Sequence, residues 1–178
     1  RHLATVLLDH PFEGAADLAQ KCERALKALD KNEGRAWRLL QPKGIYKGRG
    51  PAAKVAFLFP GQGSQYVNML ADLLGADPVV AETFAEADAV MTPLLGRPLT
   101  SYLFCDSKDP DAIAKAEDAL RDTTICQPAV LACDVAITRL LAKHGVVPDL
   151  AMGHSLGEWG AVVASGMASF ADALMAVS

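Results

Sequence analysis

The stretch Leu150-Ala151-Met152-Gly153-His154-Ser155-Leu156-Gly157-Glu158 passes from a short apolar run, through two glycines flanking a serine, into a helical pattern. Pro148-Asp149 introduces the run, and the helix is expected from about residue 156 to 164. Strand, sharp turn and helix in that order are the setting of a Gly-x-Ser-x-Gly nucleophile elbow. There the small flanking residues let backbones approach, and the turn pushes the serine outward. An ordinary glycine-rich turn that happens to hold a serine is the plain alternative.

Upstream, Lys54-Val55-Ala56-Phe57-Leu58-Phe59 forms a second short apolar run, stopped by Pro60-Gly61 and suited to a central strand buried on both faces. Helical patterns cover 71–95, with a break at Asp77-Pro78, and 110–120. A further helix is expected over 127–144, with Pro128 in its first turn and Gly145 just past its end. Short buried runs alternating with helices argue for an α/β sandwich with a parallel sheet. Before residue 41, one amphipathic helix over 15–29 carries Leu18, Cys22, Ala25, Leu26 and Leu29 as its apolar stripe. Between the two regions, Gln41-Pro42-Lys43-Gly44 through Gly48-Arg49-Gly50-Pro51 breaks every periodic pattern. A small unit over 1–53 and a larger one over 54–178 are expected.

Composition agrees with this division. Residues 1–53 hold ten Lys+Arg against six Asp+Glu, a net of +4, whereas 54–178 hold seven against fifteen, a net of −8. With 178 residues, 51% apolar and 21% charged, the chain can bury a core without disulfide staples. Its overall charge of −4 argues against nucleic acid as the main partner. No run of about 18 apolar residues occurs, and Asp9 and His10 break the N-terminal apolar stretch, so neither a membrane span nor a secretory segment is expected. Cys22, Cys105, Cys126 and Cys133 fall in no metal-ligand spacing, so no metal is expected. They read as reduced, mostly buried thiols of a cytoplasmic protein.

A helix starting at the serine directs free N–H groups and a positive dipole end toward an oxyanion formed beside the hydroxyl. The Leu156 N–H is the natural first donor. A second should come from a loop at the carboxyl end of a neighbouring strand, the place of Pro60-Gly61-Gln62-Gly63-Ser64-Gln65. That loop is no dinucleotide fingerprint, because Tyr66 stands where a third glycine belongs, and it lacks the lysine of a phosphate-binding loop.

Three segments in order carry a resemblance: Phe57-Leu58-Phe59-Pro60-Gly61-Gln62-Gly63-Ser64-Gln65, Gln127-Pro128-Ala129, and Gly153-His154-Ser155-Leu156-Gly157-Glu158. Residues 54–178 resemble malonyl-CoA:acyl carrier protein transacylases and the acyltransferase domains of polyketide and polyunsaturated fatty acid synthases. Residues 1–53 look more weakly like the linker between ketosynthase and acyltransferase. The resemblance implies an α/β-hydrolase-like acyltransferase core, incomplete here, preceded by a small α/β linker subdomain. It implies that Ser155 is the nucleophile and that the backbone N–H groups of Gln62 and Leu156 form the oxyanion hole. His154, Gly61 and Gly63 would border the substrate. Gln127 would stand near the pocket wall, or else be a buried, hydrogen-bonded helix glutamine.

The same resemblance places a general-base histidine and a carboxylate-binding arginine beyond Ser178, which lies only 23 residues after the nucleophile. It implies no permanently bound cofactor, with malonyl-CoA or a related acyl-CoA as donor and the phosphopantetheine of an acyl carrier protein as acceptor. A neighbouring ketosynthase and the remaining C-terminal part of the domain would be further partners. Of the histidines, His2 and His10 fall in the linker-like segment, and His144 at a helix end. His154, next to the serine, is poorly placed to turn its ring onto that hydroxyl. Glu158 is expected to hold the turn by a structural hydrogen bond. Two other readings share these residues: an esterase or thioesterase passing the acyl group to water, and a non-catalytic docking piece of a synthase.

Overall fold

The computed structural model describes residues 5–8, 14–31, 34–48 and 53–178. His2, His10, Asp9 and the 49–51 end of the expected boundary lie outside them. Contacts divide the chain into units 1–53 and 54–178.

In the first unit, β1 (Thr5–Leu8) pairs antiparallel with β2 (Ile45–Gly48), in the register Thr5↔Gly48 to Leu8↔Ile45. Between them run α1 (Ala15–Lys31) and α2 (Gly34–Arg38). Ala25, Ala28, Trp37 and Ile45 make the small core, with Leu29, Ala36 and Leu40 against it. Of the expected α1 stripe only Ala25 and Leu29 face this core, while Cys22, Leu18 and Leu26 are exposed. The buried face runs through positions 25, 28 and 29, one helical turn that meets α2 and β2.

The second unit begins with β3 (Ala56–Phe59) and continues through α3 (Ala71–Leu74), α4 (Pro78–Leu95), α5 (Thr100–Leu103), α6 (Pro110–Ala119) and α7 (Thr123–Lys143). It closes with β4 (Leu150–Gly153), α8 (Gly157–Ala164) and α9 (Phe170–Ala176). β3 and β4 pair in parallel, Ala56↔Leu150 to Phe59↔Gly153, so the elbow and the 60–65 loop leave the same end of the sheet. Asp149 fixes this register at the other end. Its carboxylate accepts the Val55 N–H at 2.8 Å, and its own N–H donates to the Val55 carbonyl at 2.8 Å.

α7 is the core helix, packed against α4, α8 and α9 around Phe84, Met91, Leu99, Leu103, Leu131 and Leu174. Burying one such side chain stabilises the fold by roughly 1.5–3 kcal/mol. Although α7 is long and apolar enough to cross a membrane by length and composition, 56% of its most apolar window is buried in this core. It starts earlier than residue 127 because Asp122 caps it, accepting the Thr124 N–H at 2.9 Å, and Pro128 therefore lies inside the helix. Asp77 caps α4 through Val79 N–H and also binds Lys143 Nζ at 2.7 Å, which joins the start of α4 to the end of α7. These bonds hold the Asp77 carboxyl below the usual carboxylate range.

The expectation of a strand buried on both faces requires correction. Phe59 is buried toward the helices, but Leu58, Leu150 and Met152 are 72%, 54% and 55% exposed. Among the described residues, helices cover one face of this two-stranded sheet and leave the other open. Cys126 and Cys133 are buried, Cys105 is half-buried and Cys22 is exposed, so only half of the thiols match the buried expectation.

Candidate active site

Ser155 stands between β4 and α8 with φ 54°, the left-handed region that a non-glycine residue rarely adopts. Such a conformation costs on the order of 1–3 kcal/mol and persists only where the surroundings enforce it. Here they do so through close backbone approach. A Cβ on Gly153 would lie 2.1 Å from the Gly157 carbonyl, and one on Gly157 would lie 2.2 Å from the Phe59 carbonyl oxygen. The two glycines of the motif thus let the first turn of α8 fold back on both strands. Gly160, one turn later, makes room for the Phe59 ring, 2.8 Å from where its Cβ would be.

The N–H groups of Gly157, Glu158 and Trp159 donate to the carbonyls of His154, Ser155 and Leu156, each at 3.0 Å. Leu156 N–H is left without an acceptor among the described residues, while its side chain is buried in the core. The turn therefore anchors this residue by its side chain and leaves its N–H available beside Ser155.

The 60–65 loop lies against the elbow. A Cβ on Gly61 would stand 2.8 Å from the His154 carbonyl oxygen, 3.0 Å from His154 Nδ1 and 3.5 Å from Ser155 Cβ. Glycine is required here for proximity, and at Gly63 for its φ of 108°. Gln62 N–H, like that of Leu156, has no acceptor among the described residues. Ser155, Gln62, Gly63 and His154 are exposed, so the hydroxyl and both free N–H groups belong to an accessible end of the sheet. The parallel pairing of β3 and β4 brings these residues together from separate parts of the chain.

Other expectations are changed by the geometry. Gln127 is half-buried on α7 and makes no side-chain hydrogen bond among the described residues, so the hydrogen-bonded helix reading does not hold. Glu158 is exposed and its side chain holds nothing in the turn; its main-chain N–H donates to Ser155 instead. His144 caps the end of α7, as expected. No group of three His, Cys, Asp or Glu side chains among the described residues is arranged to hold a metal.

One residue escaped the sequence reading. Asp134, on the α7 face toward α8, lines a groove of about 370 Å³ with Phe57, Phe59, Tyr66 and Ile137. Its Oδ2 is buried without a hydrogen-bond partner among the described residues, and burial pushes its carboxyl up from 3.8 to about 7. Ser155 does not line this groove.

A serine held in left-handed backbone at a strand–helix elbow, with two unused N–H groups beside it, defines the class: an α/β protein with a nucleophile elbow. Residues 56–178 match the family model described as the acyl transferase domain, and the chain belongs to that family. It is 45% identical over 123 residues to a malonyl CoA-acyl carrier protein transacylase of Escherichia coli O157:H7, covering 68% of this chain and 36% of that relative. Likeness to the spectinabilin polyketide synthase system protein NorB of Streptomyces orinoci is 38% over 135 residues, 76% of this chain and 6% of that one. A solved complex of a type II polyketide synthase acyl-carrier protein with its malonyl-transacylase is 42% identical with a TM-score of 0.59. That match covers 70% of this chain and 37% of the solved one. The chain thus spans about a third of the transacylase lengths it matches.

Proposed function

We propose that this chain is the N-terminal part of an acyltransferase domain in which Ser155 carries the acyl group. Ser155 Oγ attacks the thioester carbonyl of a malonyl-type acyl-CoA, its proton passes to a base, and the tetrahedral oxyanion forms beside Gln62 and Leu156 N–H. Collapse breaks the C–S bond, CoA leaves as the thiol after taking up a proton, and an ester remains on Ser155. The phosphopantetheine thiol of an acyl carrier protein then attacks that ester, and Oγ recovers its proton. The observation that carries this reading is an exposed elbow serine in left-handed backbone with Gly61 packed against it, next to which the N–H groups of Gln62 and Leu156 have no acceptor among the described residues.

The base and the carboxylate-binding arginine are assigned to the remaining C-terminal part of the domain. The 1–53 unit is assigned as a linker to a neighbouring ketosynthase; the likeness to a polyketide synthase protein supports a multidomain setting. His154, Gly61, Gly63 and Gln127 border the substrate in this reading, and no permanently bound cofactor is needed. A cytoplasmic setting fits the unpaired, buried thiols of Cys126 and Cys133.

The test is acceptor choice. The complete domain, loaded with malonyl-CoA, should pass the group to a phosphopantetheinylated carrier protein much faster than to water. Hydrolysis that outruns transfer at saturating carrier protein would replace this reading with an esterase.

A further inference from the structure

We propose that Ser64 and Gln65 are positioning residues that clamp the two peptide planes flanking Gln62 and so set the direction of its N–H. The proposal deepens the reading of Gln62 as an oxyanion donor and rests on it. A peptide unit is planar and trans, so the Gly61 carbonyl and the Gln62 N–H lie in one plane and point opposite ways. Ser64 Oγ donates to the Gly61 carbonyl oxygen at 2.9 Å. Holding that oxygen fixes the plane, and with it the Gln62 N–H, aimed away from the serine that holds it. The same bond polarises the peptide and makes its N–H a better donor.

The next plane carries the Gln62 carbonyl and the Gly63 N–H. Gly63 N–H donates to Gln65 Oε1 at 2.8 Å, while Gln65 Nε2 donates to the Leu120 carbonyl at 3.3 Å. Leu120 is 3% exposed and ends α6, so one amide ties the loop to the helical core without going through β3. The clamp is needed because the loop holds glycines at 61 and 63, the second with φ 108°, and glycine has the most backbone freedom to lose. An N–H serves an oxyanion only if it is oriented beforehand. Without Ser64, nothing else among the described residues bonds the Gly61 carbonyl, while the Gly63 plane is tied to the helices both by the Gln65 amide and by the contact of its N–H with the Cys126 sulfur on α7.

The experiment has two arms. In the first, the ¹⁵N heteronuclear NOE of the Gln62 amide is measured in this chain for the parent, Ser64→Ala and Ser64→Thr. The clamp requires a rigid amide in the parent, a lowered value in Ser64→Ala and recovery in Ser64→Thr, which keeps the hydroxyl. An unchanged Gln62 amide in Ser64→Ala overturns the proposal. In the second, Ser155 acylation is timed in the complete domain. Ser64→Ala should slow kcat by about tenfold at near-constant KM, less than the 10²–10³ expected for outright donor loss. Ser64→Thr should restore the rate, and adding Ser64→Ala to Gln62→Pro should cost nothing further, because the donor is already gone. Additive losses, or a loss seen only in KM, would overturn the proposal. If the parent domain forms no ester at all, the functional reading fails, while the amide measurement still decides the clamp.

Discussion

Replacing Gly157 by alanine tests the elbow most severely for the smallest chemical change. The added Cβ would stand 2.2 Å from the Phe59 oxygen, 2.6 Å from the Pro60 oxygen and 2.7 Å from the Phe59 carbonyl carbon. Ordinary contact begins at 3.4 Å, so α8 and the end of β3 must part by about 1 Å. All three neighbours are backbone, and none can rotate aside. Separation also strains the 3.2 Å bond from His154 N–H to the Phe59 carbonyl. Overpacking of this kind costs about 3 kcal/mol, at the upper end of the usual range. In a unit of this size that lowers Tm by roughly 10 °C. The same 1 Å moves Leu156 N–H away from the 60–65 loop, which should slow acylation of Ser155 by about 10²-fold. Differential scanning calorimetry of this chain and single-turnover loading of the complete domain read the two effects. Gly75→Ala is the control, since Gly75 has φ −89° and nothing within 4 Å of its Cβ position. It should be neutral or stabilising by up to about 1 kcal/mol. If Gly157→Ala melts with Gly75→Ala and loads acyl groups at the parent rate, the close approach described here is wrong.

Further outcomes follow from the same geometry. Because the folded carboxyl of Asp134 titrates near 7 rather than 3.8, the folded state holds the extra proton between those values, and stability should fall as pH rises from about 4 to 7. Asp134→Asn should flatten this slope and leave the chain more stable at pH 8 by on the order of 2–4 kcal/mol, read by urea melts at several pH values. A slope equal in parent and variant would assign it elsewhere. The 178-residue chain alone should transfer malonyl groups slowly or not at all, since the general base it lacks in this reading is worth about 10²–10⁴-fold. Near-normal turnover by a sample whose mass matches only this chain would make His154 the base. Gln62→Ala should retain most activity, whereas Gln62→Pro, which deletes the N–H, should cost about 10²–10³ in turnover. Equal losses in equally stable variants would move the working group from the backbone to the side chain.

The features legible in the sequence were those that local spacing determines. Gly153 and Gly157 sit two residues either side of Ser155, and the structure needs both because a Cβ at either would strike backbone. Pro60 and the glycines after it ended β3 beside the elbow, since a parallel pair places both carboxyl ends together. The missed features depend on contacts remote in sequence. The start of α7 followed its Asp122 cap, a polar signal outside the apolar pattern, while Pro128 pointed to a later start. The apolar run at 54–59 could not reveal that only one of its faces meets a helix among the described residues. Asp134 lies among apolar neighbours through folding of α7 on β3 and α8, and no local pattern marks a carboxyl for burial. Glu158 shows the opposite error, a residue inside a motif whose side chain the turn does not use.

Peptide-mapping mass spectrometry after brief exposure of the complete domain to malonyl-CoA addresses the nucleophile itself. The malonyl mass should appear as an ester on Ser155 alone, and Ser155→Ala, which keeps the Cβ and with it the same backbone strain at φ 54°, should carry none while melting near the parent temperature. Malonyl found on another residue, or equal labelling of parent and alanine variant, would contradict the assignment of Ser155.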